Sequence, residues 1–281
     1  MAGPGFRSRK GLVLLVTLVA GGAAAVGGWF LLLRDVAEPT TVGEAVSSFR
    51  ETTGSGATSS VPVGVYVYAT DGFEKTDALT GVTHHYPRRT TITVTRDPCG
   101  VQMRWDVLKG RSTEWTFCIG PDGWVMKTQD ERHTFFQVTE GTIYACSDGP
   151  FRPAGDVPGR RVRITCTTSS AKEHETQWIV GRETMRVGPK RVGTVHIRQL
   201  ISLSGGTRGA STYDIWLDRK TGVPVRIAMV SRTTNDSPVG AVRYEESVSR
   251  RTVDRGPRRR SGRARSPQGF CGVRSSGQAR W

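Results

Sequence analysis

The sequence lacks the short motifs that identify most catalytic and nucleotide-binding folds. It contains no HExxH zinc motif, no GxSxG nucleophile elbow, no P-loop, and no GxGxxG between a strand and a helix. Its five cysteines form no CxxC, and no cysteine or histidine cluster has the spacing of a zinc site. These absences argue against an enzyme, and the sequence indicates neither a metal nor another cofactor.

Two adjacent pairs of ionisable residues come closest to a chemical site. His84 and His85 would face opposite sides of a strand and would not easily share a metal ion, so a pair in a surface loop is expected. Glu245 and Glu246 would likewise point to opposite faces of the last strand. That arrangement suits neither a shared proton nor the carboxylate pair of a glycosidase.

Long hydrophobic runs are scarce, and the one that is present lies near the N-terminus. The segment Gly11–Leu33 carries no charge, and as a helix it would span about 35 Å, enough for a hydrocarbon core of roughly 30 Å. Basic residues in the preceding segment 1–10 predict a cytoplasmic N-terminus and an extracellular remainder. The pattern therefore predicts a single-pass anchor in the cell membrane, with a cleaved signal peptide ending near Ala23–Ala25 as the alternative.

Positive charge is abundant but unevenly distributed. The formal net charge is +15, and the stretch from Arg255 to Arg280 contains eight arginines and no acidic residue. The rest of the extracytoplasmic part is only mildly basic, so the charge does not indicate a nucleic-acid partner. Residues 254–281 have no periodicity and are expected to be disordered. This tail either attracts anionic lipid head groups or envelope polymers, or is an incidental extension.

Four cysteines are expected to form two disulfides outside the cell, where the compartment is oxidising. Three pairings are possible, and we favour Cys99–Cys118 and Cys146–Cys166. The first pair brackets a hairpin that turns at Lys109-Gly110-Arg111, and the second brackets a Pro/Gly-rich loop. Cys271 is left over in the basic tail.

Residues 34–60 form a predicted linker with one short amphipathic helix. Thr41 and Glu44 have the spacing of a capping box, and Ala45, Val46 and Phe49 fall on one helical face. The helix should end at about Arg50 or Glu51 and lead into a flexible loop, Thr52–Ser60.

Residues 61–253 form a predicted extracytoplasmic β domain. From Val61 the apolar period changes to two, and turn signals separate about eleven or twelve short strands. Two loops are expected within it, Asp77–Pro87 and Ser147–Gly159. This spacing is typical of an antiparallel sheet or an open barrel.

One hairpin resembles a known family. The residues Tyr213–Met229, with Trp216-Leu217-Asp218 before the turn and Thr221-Gly222 in it, are similar to a hairpin of the LolA/LppX/RseB-like extracytoplasmic superfamily. The resemblance implies a mainly β fold, an open antiparallel half-barrel with a helix against its concave side, and for some members lipid or lipoprotein binding. The anchor, the two disulfides and the missing lipid-attachment cysteine depart from familiar members. The whole chain also resembles membrane-anchored secreted proteins of high-GC Gram-positive bacteria.

Apolar stripes on the predicted strands favour a binding function. A half-barrel covered by one short helix would leave a concave groove for an apolar or lipid-like ligand near the membrane. Tyr66, Trp105, Trp115 and Trp216 are the predicted groove residues, although each could simply fill the core. The alternative function is a cell-envelope scaffold or sensor ectodomain that acts through protein contacts and binds no small ligand.

Overall fold

The computed structural model describes residues 37–52, 61–79, 81–237 and 240–253, with Asp148 described by its backbone alone. The predicted membrane segment, the basic tail and Cys271 lie outside these ranges. No helix within the described residues is long and apolar enough to cross a membrane.

Fourteen strands follow a single short helix, α1 (Val42–Thr52), along the described residues. The strands are β1 (Gly64–Thr76), β2 (Val82–His85), β3 (Arg89–Asp97), β4 (Gly100–Leu108), β5 (Arg111–Gly120), β6 (Gly123–Phe135), β7 (Val138–Asp148), β8 (Arg152–Pro153), β9 (Arg161–Thr167), β10 (Ala171–Val187), β11 (Lys190–Gly205), β12 (Thr207–Asp218), β13 (Pro224–Ser237) and β14 (Gly240–Thr252). The predicted mainly β class is thereby confirmed. The predicted loop Asp77–Pro87 is wrong in part, because β2 lies within it and pairs with the end of β1.

The sheet closes into a twelve-stranded antiparallel barrel, so the predicted open half-barrel is wrong. Strand β14 pairs with β1 from Thr252–Tyr68 to Tyr244–Thr76. Strand β2 pairs with the C-terminal part of β1 on the same edge as β3, and β8 pairs with β6 apart from the ring. Closure satisfies the backbone N–H and C=O groups that two open edges would leave unpaired. The pairing joins strands far apart in the chain, and for that reason local periodicity does not reveal it.

Helix α1 packs on the outside of this barrel, against β1 and β3. The predicted capping box is present, since the Thr41 backbone N–H donates to Glu44 Oε2 at 2.7 Å and the Glu44 N–H donates to Thr41 Oγ1 at 3.2 Å. Val65 and Val67 alternate with the core residues Tyr66 and Tyr68, so they face the helix side of β1. The family resemblance implied a helix against the concave side of the sheet. This expectation is wrong, because the helix lies on the outer side.

Both favoured disulfides form, Cys99–Cys118 and Cys146–Cys166. The first lies at the open end of the β4–β5 hairpin, where Gly100 pairs with Cys118. The second joins directly opposed residues of β7 and β9 and closes the base of the Pro/Gly-rich loop.

The barrel interior changes from apolar to polar along its axis. A row of cross-strand neighbours on β10 to β13 is entirely isoleucine: Ile179, Ile197, Ile215 and Ile227. A second row of cross-strand neighbours lies four residues away from the isoleucine row and continues onto β14 and β1. It carries mostly polar side chains: Glu175, Ile201, Ser211, Ser231, Glu246 and Glu74. The core thus has an apolar half and a polar half.

Candidate functional site

A cavity of about 50 Å³ lies inside the barrel. Its wall is mostly aliphatic and aromatic, contributed by Ile92, Met103, Trp115, Phe117, Trp124, Met126, Phe151, Ile201, Tyr213, Ile215, Leu217, Pro224 and Ile227. Four polar side chains complete the wall: Gln129, Glu175, Gln199 and Arg250. An apolar cavity with a few polar groups is the usual form of a small-molecule site.

Phe151 closes part of this cavity from the loop between β7 and β9. Its ring lies 4.8 Å from the ring of Phe117, centroid to centroid. The Gln177 side chain holds the loop in place, because its Nε2 donates to the carbonyl oxygens of Pro150 at 2.9 Å and Phe151 at 2.7 Å. The Pro/Gly-rich loop is therefore attached to the barrel interior by a buried amide.

Arg250 is a cation within the apolar half. It is a cross-strand neighbour of Ile227 and is only 2% exposed. Its guanidinium carbon lies 3.8 Å from the ring centroid of Trp105 and 5.7 Å from that of Trp115, a geometry that favours cation–π attraction. Two of its nitrogens, Nε and Nη1, are buried and have no hydrogen-bond partner in the described part of the chain. Burial lowers the pKa of Arg250 to about 10, so it remains charged at neutral pH.

Two buried carboxyl groups, Glu173 and Glu175, lie on β10, and Glu175 is the one that lines the cavity. Glu175 Oε2 accepts a hydrogen bond from Gln199 Nε2 at 3.1 Å, while Glu173 Oε2 is buried without a partner in the described residues. Burial raises the pKa of Glu175 to about 7. Burial also raises the pKa of Glu173 well above its usual range, and the nearby Glu131 and Glu175 raise it further. Each carboxyl group can therefore hold a proton at a pH where an exposed one is ionised.

This acidic pair does not form a convincing metal site. Ligand atoms of Cys166, Glu173 and Glu175 lie within 4.8 Å of one another. The Cys166 sulfur, however, is bonded to Cys146 and offers no thiolate. Two buried carboxyl groups remain, too few for the oxygen-rich shell of Ca²⁺ or Mg²⁺.

A separate network of charged groups fills the polar half. Arg111 Nη2 donates to Glu246 Oε2 at 2.9 Å, and its Nε lies 3.7 Å from Glu74 Oε2. Two phenols also donate to Glu246, Tyr86 at 2.6 Å and Tyr244 at 2.7 Å. Each carboxylate of the network therefore has several partners, and all of these side chains are largely buried.

Two histidines complete the network through Glu74. His84 Nδ1 lies 3.0 Å from Glu74 Oε1, and His133 Nδ1 lies 3.3 Å from Glu74 Oε2. Although burial opposes ionisation, hydrogen bonds from His133 and His84 and the charge of Arg111 lower the pKa of Glu74 to about 2. The expectation that His84 belongs to a surface loop is wrong, because it is 4% exposed and faces the interior of the sheet. His85 points outward, which confirms the prediction that the two adjacent histidines face opposite sides of a strand.

The four predicted groove residues occupy different environments. Trp115 lines the cavity, and Trp105 is buried against the Arg250 guanidinium. Tyr66 belongs to the core, where its hydroxyl donates to the Pro62 carbonyl at 2.7 Å. Trp216 lies on the outer face of β12, where it stacks on His196 at 4.2 Å and donates to Glu183. The structure thus brings Trp105 and Trp115 together and separates Trp216 from them.

Sequence analysis missed the polar residues of this interior. Arg250 lies in a segment that the sequence assigned to the last strand, whereas Glu74 and Glu175 lie in segments that it did not assign to a strand. Because Arg250 shares its face with Val248 and Thr252, strict alternation would have placed it inward. The inward position of Arg250 was therefore predictable from the sequence. The residues that lie next to it on other strands were not.

Comparisons of the chain with protein-family models, with curated proteins and with solved structures gave no match. A functional assignment therefore depends on the chemistry of the barrel interior.

Proposed function

We propose that the barrel binds an apolar or lipid-like ligand in its interior cavity, as the extracytoplasmic domain of a membrane-anchored protein. The observation that carries this proposal is the cavity wall, whose aliphatic and aromatic side chains surround a space of about 50 Å³. Apolar cavities are poorly hydrated and accept apolar guests. No arrangement of nucleophile and base accompanies the cavity in the described residues.

The size of the cavity favours a slender ligand. A single water requires roughly 10–15 Å³ of such space, so the cavity as it stands accepts only a short chain or the end of a longer one. A longer chain requires Phe151 to move away from Phe117. The loop that carries Phe151 is held by two hydrogen bonds from Gln177 and by the short pairing of β8 with β6, so these contacts would have to loosen.

The proposed extracytoplasmic location at the membrane is based mainly on the sequence. The apolar segment Gly11–Leu33 with its basic flank favours a membrane anchor, and two disulfides suit an oxidising compartment. An anchored domain would meet lipids at the membrane surface, and the arginine-rich tail would favour anionic ones. The relation to LolA-like proteins also remains a proposal, based on the hairpin that β12 and β13 form.

Native mass spectrometry combined with lipid extraction tests the proposal on the full chain with both disulfides intact. We expect a stoichiometric lipid to accompany the purified protein. The variant Ile201→Phe places a phenyl ring in the cavity and should reduce the bound fraction. Its neighbour Leu200 is 46% exposed on the outer face of β11, so Leu200→Phe is the matched control.

Circular dichroism must show that both variants fold, since an added ring in a packed core costs about 1–3 kcal/mol. An unchanged mass after incubation with envelope lipids would contradict ligand binding. That result would favour the alternative, a scaffold or sensor ectodomain that acts through protein contacts.

A further inference from the structure

Arg250 is the one cavity-lining residue among the described ones that carries a positive charge. It lies in the isoleucine row, and two of its nitrogens have no hydrogen-bond partner among the described residues. The rings of Trp105 and Trp115 attract the guanidinium charge through cation–π contacts. Nε and Nη1 therefore have no acceptor within the described part of the chain.

An unpaired buried charge is unfavourable, and proteins normally pair or neutralise it. The same barrel shows this at Arg111, which has Glu246 at 2.9 Å and Glu74 at 3.7 Å. In the described part of the chain no carboxylate lies within ion-pair distance of Arg250, which Glu246 attracts only from further away, although Arg250 lines the cavity. The natural partner of an unpaired cation at a cavity wall is an anion that enters the cavity.

We infer that the Arg250 guanidinium binds the carboxylate head group of a single-chain amphiphile, such as a fatty acid, whose chain lies in the apolar cavity. This inference rests on the proposed function and specifies the class of its ligand. The planar guanidinium can donate two parallel hydrogen bonds to the two oxygens of one carboxylate.

The charge balance favours a carboxylate over a phosphate. A phosphate monoester carries up to two charges and would require a second cation, but Arg111 is committed to Glu246 and Glu74. The limited space favours one chain over two. Of the other polar wall residues, Gln129 and Gln199 are neutral, and burial raises the pKa of the Glu175 carboxyl to about 7, which favours its uncharged form.

Paired titrations with octanoate and 1-octanol test the inference, because the two ligands share a chain and differ in head-group charge. The full chain, reconstituted in lipid nanodiscs, is titrated by calorimetry, and empty nanodiscs give the background. In Arg250→Met we expect octanoate affinity to fall at least about tenfold, while 1-octanol affinity changes less than about threefold. The control is Arg251→Met, because Arg251 lies on the outer face of β14 and is exposed.

The outcomes separate the two proposals. Equal octanoate affinity in Arg250→Met and Arg251→Met would overturn the role of Arg250 and leave ligand binding intact. Failure of both ligands to bind the unsubstituted protein would overturn the proposed function as well. Retained 1-octanol binding in Arg250→Met shows that the variant is folded, with its cavity preserved.

Discussion

The barrel contains two buried arginines, Arg111 and Arg250, in contrasting surroundings. Arg111 is paired with Glu246 and lies near Glu74, and two tyrosines donate to the same carboxylate. Arg250 has aromatic rings against it and no acceptor for two of its nitrogens among the described residues. Both lie close to Trp105, at 5.6 and 3.8 Å from its ring.

The contrast extends to the buried acids. Glu74 is ionised and surrounded by donors, whereas burial favours the protonated form of Glu175. Arg111 is compensated by two carboxylates, although its Nε has no hydrogen-bond partner in the described residues. The Arg250 charge, in contrast, has no carboxylate partner among the described residues, which is why we propose it as the site of a ligand anion.

Breaking the paired network should have the largest effect. Glu246→Gln leaves Arg111 buried beside a neutral amide, and we expect the free energy of unfolding to fall by about 3–5 kcal/mol. Urea denaturation monitored by tryptophan fluorescence measures this. Glu245, the adjacent residue, pairs with Arg232 at an exposed position, so Glu245→Gln should cost less than about 1 kcal/mol. Similar losses in the two variants would refute the distinction.

A pH series should distinguish the two kinds of buried acid. The pKa of Glu175 is raised from its usual 4.5 to about 7, so the folded state binds more protons than the unfolded state between these values. Its contribution to stability therefore falls as the pH rises from 4.5 to 7, by on the order of 3 kcal/mol. Glu175→Gln should remove this loss, raising stability at about pH 8 and leaving it unchanged near pH 4.

Glu74 provides the opposite sign in the same experiment. Its pKa is lowered to about 2, so the stability that it contributes is present above 4.5 and lost as the pH falls from 4.5 to 2. In Glu74→Gln this loss of stability at acidic pH should disappear, because the amide does not take up a proton in this range. A Glu175→Gln curve parallel to that of the unsubstituted protein would show that Glu175 is not a buried proton-holding acid.

Removing the unpaired Arg250 should change the free energy of unfolding only slightly, and should raise it, in contrast to Glu246→Gln. Arg250→Met relieves the desolvation cost of a lone cation and loses the contacts with Trp105, so we expect stability to rise by about 1 kcal/mol. Arg111→Met should instead be destabilising, because it leaves the buried Glu246 carboxylate without its cationic partner. Thermal melts of the two variants compare them directly. A loss of several kcal/mol in Arg250→Met would mean that Arg250 has a structural role.

The smallest effect is expected outside the barrel. Trp216→Phe keeps the stack on His196 and removes one hydrogen bond to Glu183, so lipid occupancy should be unchanged. Trp115→Phe alters the cavity wall and removes the bond to Gln129, so occupancy should fall. Native mass spectrometry reports both. Equal occupancy in the two variants would argue that the ligand does not contact this wall.

Local features of the chain were accessible from the sequence. The capping box at Thr41 and Glu44, both disulfides and most strands follow from short-range spacing, because side chains alternate in strands and hairpins bring nearby cysteines together. The opposite orientation of Glu245 and Glu246 follows from the same alternation. Strand β2 was missed because its four residues are too few to show a period.

What these elements enclose depends on contacts between distant strands. Pairing of β1 with β14 turned an expected open groove into a closed barrel, through contacts between residues far apart in the chain. The same closure placed Arg111 beside Glu246 and left Arg250 against two tryptophans. Sequence alone determined the alternation, the turns and the disulfide spacing. Whether an inward charge is paired depended on the register of distant strands, which no local pattern encodes.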